Sequence, residues 1–249
     1  MLIKSDLNCD IGCVRPKNED IILLGGELFR DKSQTSYFEI GENTRFAAIV
    51  ADGMGGHKGG EIASEDAAQF FCDFTLSLEN DLSAAEIIEK IKNWANIAHQ
   101  NILNKGRENP EYNGMGSTFC GMLFYENQVF SLNIGDSRLY RFRNEILRQI
   151  SIDHSMREHT GDMSLPSNLI YNSLGAGENT FVDVKELTGQ LYDDDLFLVC
   201  SDGICDMISD EEIEEILSKE PTAGKLVEAA RNAGGKDNIS AILLKIKEI

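Results

Sequence analysis

The chain has 249 residues, and its 42 Asp and Glu against 23 Lys and Arg leave a formal charge of −19. A surface this acidic repels nucleic-acid backbones and anionic bilayers, so neither nucleic-acid binding nor membrane insertion is expected. With 42% hydrophobic residues the chain is not disordered, and at this length it buries roughly 70–75% of its unfolded surface, enough for one large domain.

The start, MLIKSDLNCD, lacks the apolar core of a signal peptide, and the longest apolar runs, at 46–51 and 196–200, are too short to span a bilayer. Two amphipathic helices are expected over 60–79 and 84–104, from Ala63, Ala67, Phe70, Phe71 and Phe74 in one and Ile87, Ile91, Trp94, Ala98 and Ile102 in the other. Ser83 with Glu86 forms a capping box at the start of the second. Runs at 117–125, 128–134, 137–142 and 145–150, separated by short turns, predict an antiparallel meander. Segment 155–180, with Gly161, Pro166, Gly175 and Gly177 and little periodicity, reads as a surface excursion. A buried strand over 195–200, two short helices (the first capped by Ser209 with Glu212) and a last strand over 239–246 complete the chain.

Strands and helices that group rather than alternate indicate an α+β fold, with the helix pair covering one sheet face. No repeat or linker divides 1–249, so a single domain is expected. Six cysteines occur without a CxxC pair; Cys72, Cys120 and Cys200 lie in apolar segments and read as buried free thiols, with a zinc or disulfide role as the alternative. These features together point to a cytoplasmic location.

The chemical signal is a repeated pattern of apolar strand and aspartate. FAAIVA runs into Asp52-Gly53, the strand 129–134 into Gly135-Asp136, and LFLVC into Ser201-Asp202-Gly203, while Asp237-Asn238 precedes ISAILLKI and Glu19-Asp20 adjoins IILL. Taken singly, an Asp-Gly pair is usually a hairpin turn. Here Gly53 and Gly203 lead into helices, so neither closes a two-residue hairpin. Carboxylates converging from strand ends raise one another's pKa unless a cation intervenes, and oxygen-only ligands suit Mg²⁺ or Mn²⁺. EF-hand, HExxH, P-loop and GxGxxG patterns are absent from the sequence. The pattern supports a multi-carboxylate hard-metal site and leaves the reaction open.

The segments GCVRPKNED, VADGMGGHKGGE, GSTFCGMLFYENQVFSLNIGDSRLYRF, LFLVCSDGICD and GKDNISAILL, in this order and over nearly the whole chain, resemble the PPM (PP2C-type) metal-dependent protein serine/threonine phosphatases, bacterial branch. The resemblance implies two antiparallel β-sheets sandwiched between helices (αββα), and two Mn²⁺ or Mg²⁺ ions in an edge cleft. By that resemblance Asp52 bridges the two metals, the Gly53 carbonyl and Glu19 serve one, and Asp202 and Asp237 hold the other. Asp20 orients bound water, Arg15 clamps the phosphate, and Asp136 and Asp206, with Asp202, form a weaker third metal site. The implied activity is hydrolysis of phosphoserine and phosphothreonine by direct attack of a metal-activated water. The partners are phosphorylated proteins, a Ser/Thr kinase or its targets. Two alternatives stand beside it: a non-catalytic sensor or scaffold, and a phosphatase of one dedicated regulatory phosphoprotein.

Three departures from the family pattern stand out. Met54 occupies the place of a proposed general-acid histidine in eukaryotic relatives; 25–44 is long, reading as an insertion or long hairpin; and the flap region within 155–180 is short. His57 and His154 read as structural or surface histidines rather than acids.

Overall fold

The structure is a computed structural model describing residues 1–55 and 59–248; His57 lies outside the described residues. In the first ten residues Ile3, Ser5, Leu7 and Cys9 alternate with polar neighbours, and a period of two puts them on one side of a strand. This is β1 (Leu2–Asp10), with those four residues buried. It is absent from the expected elements because Ser5 interrupts the apolar signal.

The chain continues through β2 (Asp20–Leu24), β3 (Glu27–Phe29), β4 (Lys32–Glu39) and β5 (Arg45–Met54), then the helices α1 (Gly59–Ser77) and α2 (Ala84–Glu108). After a short turn of 3-10 helix come β6 (Gly116–Ser117), β7 (Phe119–Tyr125), β8 (Gln128–Ile134), β9 (Arg138–Arg143) and β10 (Ile146–Gln149). The last third holds α3 (Met156–Thr160), β11 (Asp183–Glu186), β12 (Leu196–Cys200), α4 (Asp202–Cys205), α5 (Asp210–Lys219), α6 (Ala223–Asn232) and β13 (Ile239–Glu248). Both expected capping boxes, Ser83 with Glu86 and Ser209 with Glu212, are formed.

One antiparallel sheet has the order β10-β9-β12-β13-β1-β4 and the other β11-β8-β7-β5-β2-β3, with β6 paired to the end of β5. Two expectations change here. The stretch 25–44 is not one long hairpin: β3 pairs with β2 in the second sheet, whereas β4 crosses to pair with β1 in the first. The meander of four strands is likewise split into two hairpins, β7–β8 in one sheet and β9–β10 in the other. The crossing occurs at Gly135, whose φ of +100° turns the chain where a side chain would be strained.

Three apolar layers hold the fold together. On β5, Ala47, Ile49 and Ala51 face α1 and α2 together with Ala63, Phe71 and Trp94. The alternate residues Phe46, Ala48 and Val50 face the other sheet and meet Leu139, Phe197 and Ile242. Beyond that sheet, Leu198, Ala241 and Leu243 pack on Ile213, Leu217 and Leu226 of α5 and α6. The order is therefore helices, sheet, sheet, helices, the α+β arrangement expected. Because β5 is buried on both faces, truncating Ile49, fully buried, should cost about 2–5 kcal/mol. Cys72, Cys120 and Cys200 are buried free thiols, as read from the sequence. Among the described residues no helix is long and apolar enough to cross a membrane.

Segment 155–180 is only partly a surface excursion. Asn172, Ser173 and Leu174 are buried, and Leu174 exchanges backbone hydrogen bonds with Ser117, both 2.9 Å. Gly175 lies so close to α2 that an added Cβ would come within 2.2 Å of Ile102. The returning limb is thus fastened to the helix layer, while 161–164 remains exposed.

Candidate active site

Antiparallel pairing brings the start of β2, the end of β5, the β8–β9 crossing, the end of β12 and the start of β13 to the same edge of the two sheets. A cleft of about 420 Å³ opens there, lined by Arg15, Lys17, Glu19, Asp52, Gly53, Met54, Thr118, Asp136, Asn168, Asp202 and Asp237 among others. Asp20 and Asp52 are direct cross-strand partners. Asp20 is fully buried and lies behind the cleft lining. Asp206 is exposed, does not line the cleft, and accepts a hydrogen bond from Ser167 Oγ at 2.7 Å.

Asp52, Asp20 and the turn before Asp136 are braced by hydrogen bonds. Asp52 N–H donates to Thr118 Oγ1 at 3.0 Å, and the Asp52 carbonyl accepts from Thr118 N–H at 2.9 Å and Ser117 Oγ at 3.1 Å. Asp20 Oδ2 accepts from Ser201 Oγ at 2.8 Å, and that hydroxyl accepts Ser240 N–H at 3.1 Å, linking β2, β12 and β13. The Asp136 turn is held by His154, whose Nδ1 accepts Gly135 N–H at 3.1 Å and Asn172 Nδ2 at 2.8 Å. Its Nε2 therefore carries the proton and faces Asp183 Oδ2 at 3.3 Å. Burial lowers the pKa of His154 below the ordinary range, so it is a neutral structural histidine, as expected.

The electrostatics are those of crowded anions. Burial first, then Asp20, Asp202, Asp136 and Asp237, push Asp52 well above the carboxylate range. Asp202 is raised by burial and then by Asp136, Asp237, Asp20 and Asp206. Burial raises Asp20 to about 6 and Asp136 to about 7, and it raises Glu19 as well. Arg15 Nη2 donates to Asp237 Oδ2 at 2.6 Å, which raises the arginine's pKa.

The donor set fits hard divalent cations. Buried Oδ1 atoms of Asp20 and Asp202 have no hydrogen-bond partner, and an unsatisfied buried carboxylate oxygen is costly without a cation nearby. The Gly53 backbone is equally specialised: an added Cβ would meet the Gly60 carbonyl at 2.0 Å and the Glu19 carbonyl at 2.7 Å. Only glycine lets the β5 end, the α1 start and the Glu19 loop close on one another here. Among the described residues no three carboxylate, histidine or cysteine side chains converge on one ion-sized point; the acids line an open cleft rather than a closed cage.

The bracing residues are what sequence reading missed. Asn238, buried, accepts Glu19 N–H on Oδ1 at 2.8 Å and donates from Nδ2 to the carbonyls of Ile11 and Lys17, both at 2.9 Å. Ser64 Oγ donates to the Glu19 carbonyl at 2.5 Å. Asn238 was visible as the neighbour of Asp237, but its partners lie more than 200 residues away. Thr118, Ser201 and Ser64 carry no local signal.

The acid-lined cleft at one edge of the paired sheets is a candidate hard-metal centre. The protein phosphatase 2C profile matches residues 25–243. The chain is 31% identical over 255 residues to the serine/threonine phosphatase Stp of Listeria monocytogenes, covering 97% of this chain and 95% of that protein. The serine/threonine phosphatase structure from S. agalactiae superposes with a TM-score of 0.82 at 26% identity, covering 98% of this chain and all of that one. The catalytic domain of the serine/threonine protein phosphatase PstP in complex with two manganese ions matches with a TM-score of 0.74 at 26% identity, over 100% of both chains. This chain belongs to the protein phosphatase 2C family. It is a metal-dependent protein serine/threonine phosphatase.

Proposed function

We propose that the edge cleft is the catalytic centre of a one-domain phosphatase spanning 1–249, with 155–180 as its flap. Glu19, Asp52, the Gly53 carbonyl, Asp202 and Asp237 would hold two Mn²⁺ or Mg²⁺ ions, and Asp136 and Asp206 would contribute to a weaker third site. When bound, the ions supply an activated water and neutralise charge on the phosphoryl group. The protein's own share is positional. Arg15, at the rim and paired with Asp237, presents a planar fork that suits two phosphoryl oxygens. Asp20, fixed by Ser201, orients the water from behind the floor. Met54 lines the cleft and has no proton to give, so the leaving oxygen takes its proton from water or another residue.

The observation that carries this reading is the convergence of Asp52, Asp136, Asp202 and Asp237, from five separate strand ends and turns with Glu19, on one cleft whose floor leaves buried carboxylate oxygens without partners. The substrates are phosphorylated proteins of the same compartment, a Ser/Thr kinase or its targets, in the cytoplasm. Hydrolysis of a phosphothreonine peptide with Mn²⁺ tests it. Turnover that survives EDTA, or that persists in Asp52→Asn, would overturn the mechanism. Mn²⁺ binding without turnover would favour the scaffold alternative instead.

A further inference from the structure

Among the described residues two cations line the cleft, Arg15 and Lys17, and they are held differently. Arg15 is engaged by Asp237 at 2.6 Å. Lys17 has a half-exposed side chain whose ion pair, with Glu61 Oε2, is 3.6 Å long, beyond hydrogen-bonding distance. Glu61 is also approached by Arg30 Nη1 at 3.4 Å, so it is not left unpaired when Lys17 moves away.

The root of Lys17 is fixed although its tip is loose. Its carbonyl accepts from Asn238 Nδ2 at 2.9 Å, the same side chain that positions Glu19. Pro16 restricts the backbone immediately before it. A four-carbon stem on a clamped backbone can carry an ammonium from Glu61 toward an anion in the cleft at little conformational cost. The need for it follows from charge: at −19 overall, the long-range field opposes a phosphate dianion, and a compact cation at the mouth offsets that field locally.

We infer that Lys17 is a phosphate-binding residue that leaves Glu61 to contact the phosphoryl oxygens of the bound substrate, beside Arg15. This rests on the phosphatase reading of the cleft. Because Lys17 stands at the mouth, its contact is made alike before and during bond cleavage, and it acts on KM rather than kcat.

The test uses the full chain with Mn²⁺, comparing wild type with Lys17→Ala and Lys17→Arg. The substrates are para-nitrophenyl phosphate and a phosphothreonine peptide, and inorganic phosphate binding is titrated calorimetrically. For Lys17→Ala, KM for both substrates and Kd for phosphate should rise together by about 3–10-fold. Its kcat should stay within about twofold, and Lys17→Arg should recover most of the binding. Unchanged KM and phosphate Kd overturn the inference, as does a KM rise confined to the peptide. A fall in kcat and Mn²⁺ affinity at constant phosphate Kd also overturns it, since that marks a merely structural residue. If wild type hydrolyses neither substrate, the phosphatase reading fails, and the phosphate titration alone decides the role of Lys17.

Discussion

Asn238 Oδ1 accepts the backbone N–H of Glu19 at 2.8 Å, joining residues 219 positions apart in the chain. The same amide holds the carbonyls of Ile11 and Lys17, so one buried side chain fixes the loop that carries Arg15, Lys17 and Glu19. Asn238→Ala should leave buried backbone groups unpaired and destabilise the protein by about 1–3 kcal/mol. Asn238→Asp should fail similarly, because a carboxylate cannot donate to the two carbonyls. In both, Mn²⁺ affinity should fall by about 10–100-fold, as for other groups that orient ligands. Thermal melts in EDTA and calorimetric Mn²⁺ titrations separate the two effects.

The raised carboxylates predict a pH dependence whose sign follows from linkage. Asp20, at about 6, and Asp136, at about 7, bind protons more tightly folded than unfolded. Their contribution to stability is fully present below the unfolded carboxylate range and is lost as pH rises through 6 and then 7. In EDTA the melting temperature should therefore fall from pH 5 to pH 8, and Mn²⁺ should flatten the fall by favouring the ionised acids. Asp20→Asn should flatten it without metal. A melting temperature in EDTA that rises over this interval would contradict the burial of these acids.

Asp52→Asn separates stability from function. Crowding by burial and four neighbouring aspartates raises the Asp52 pKa, so a neutral amide of the same shape should raise the metal-free melting temperature. It should also reduce kcat by at least about 100-fold, on the scale of losing one preorganised electrostatic contact. Differential scanning calorimetry in EDTA, paired with Mn²⁺-supported turnover, reads both.

Gly53→Ala tests the backbone rather than a carboxylate. An added Cβ would stand 2.0 Å from the Gly60 carbonyl, and neither β5 nor α1 can retreat without unpacking Ala51 or Ala63, both fully buried. Overpacking against rigid backbone should cost about 1–3 kcal/mol or more and displace the carbonyl beside Glu19. Urea denaturation gives the stability change, and loss of Mn²⁺ binding in the folded fraction reports the displacement.

Charge outside the cleft gives a prediction about substrates. At −19, phosphopeptides with basic flanking residues should show higher kcat/KM than acidic ones, and added salt should narrow the difference. A kcat/KM insensitive to both flanking charge and ionic strength would show that local contacts alone govern capture.

Much of the fold and candidate site was readable from local pattern. The period of α2, the capping residues Ser83 and Ser209, and the strand-then-aspartate pattern at Asp52, Asp136 and Asp202 depend on neighbours a few positions away. The ordered motifs also carried the family. Less legible was anything set by distant pairing. β1 was hidden because the polar Ser5 stands at a core-facing position of its alternation, although it is fully buried. The meander divided at Gly135 because short turns connect strands equally well within a sheet and between sheets, and only packing on both faces of β7 and β9 decides which.

By itself, then, the sequence determined the acid types, their placement at strand ends and the family they mark, because each is a property of a residue and its immediate neighbours. The tertiary structure alone decided which acids face the cleft and which stand behind it. It placed Asp20 beside Asp52 through the β2–β5 register, and Asp206 outside the lining against Ser167. It also decided that Asn238, Ser201 and Thr118 do the bracing, because a hydrogen bond between residues far apart in the chain exists only once two sheets have brought their ends to one edge.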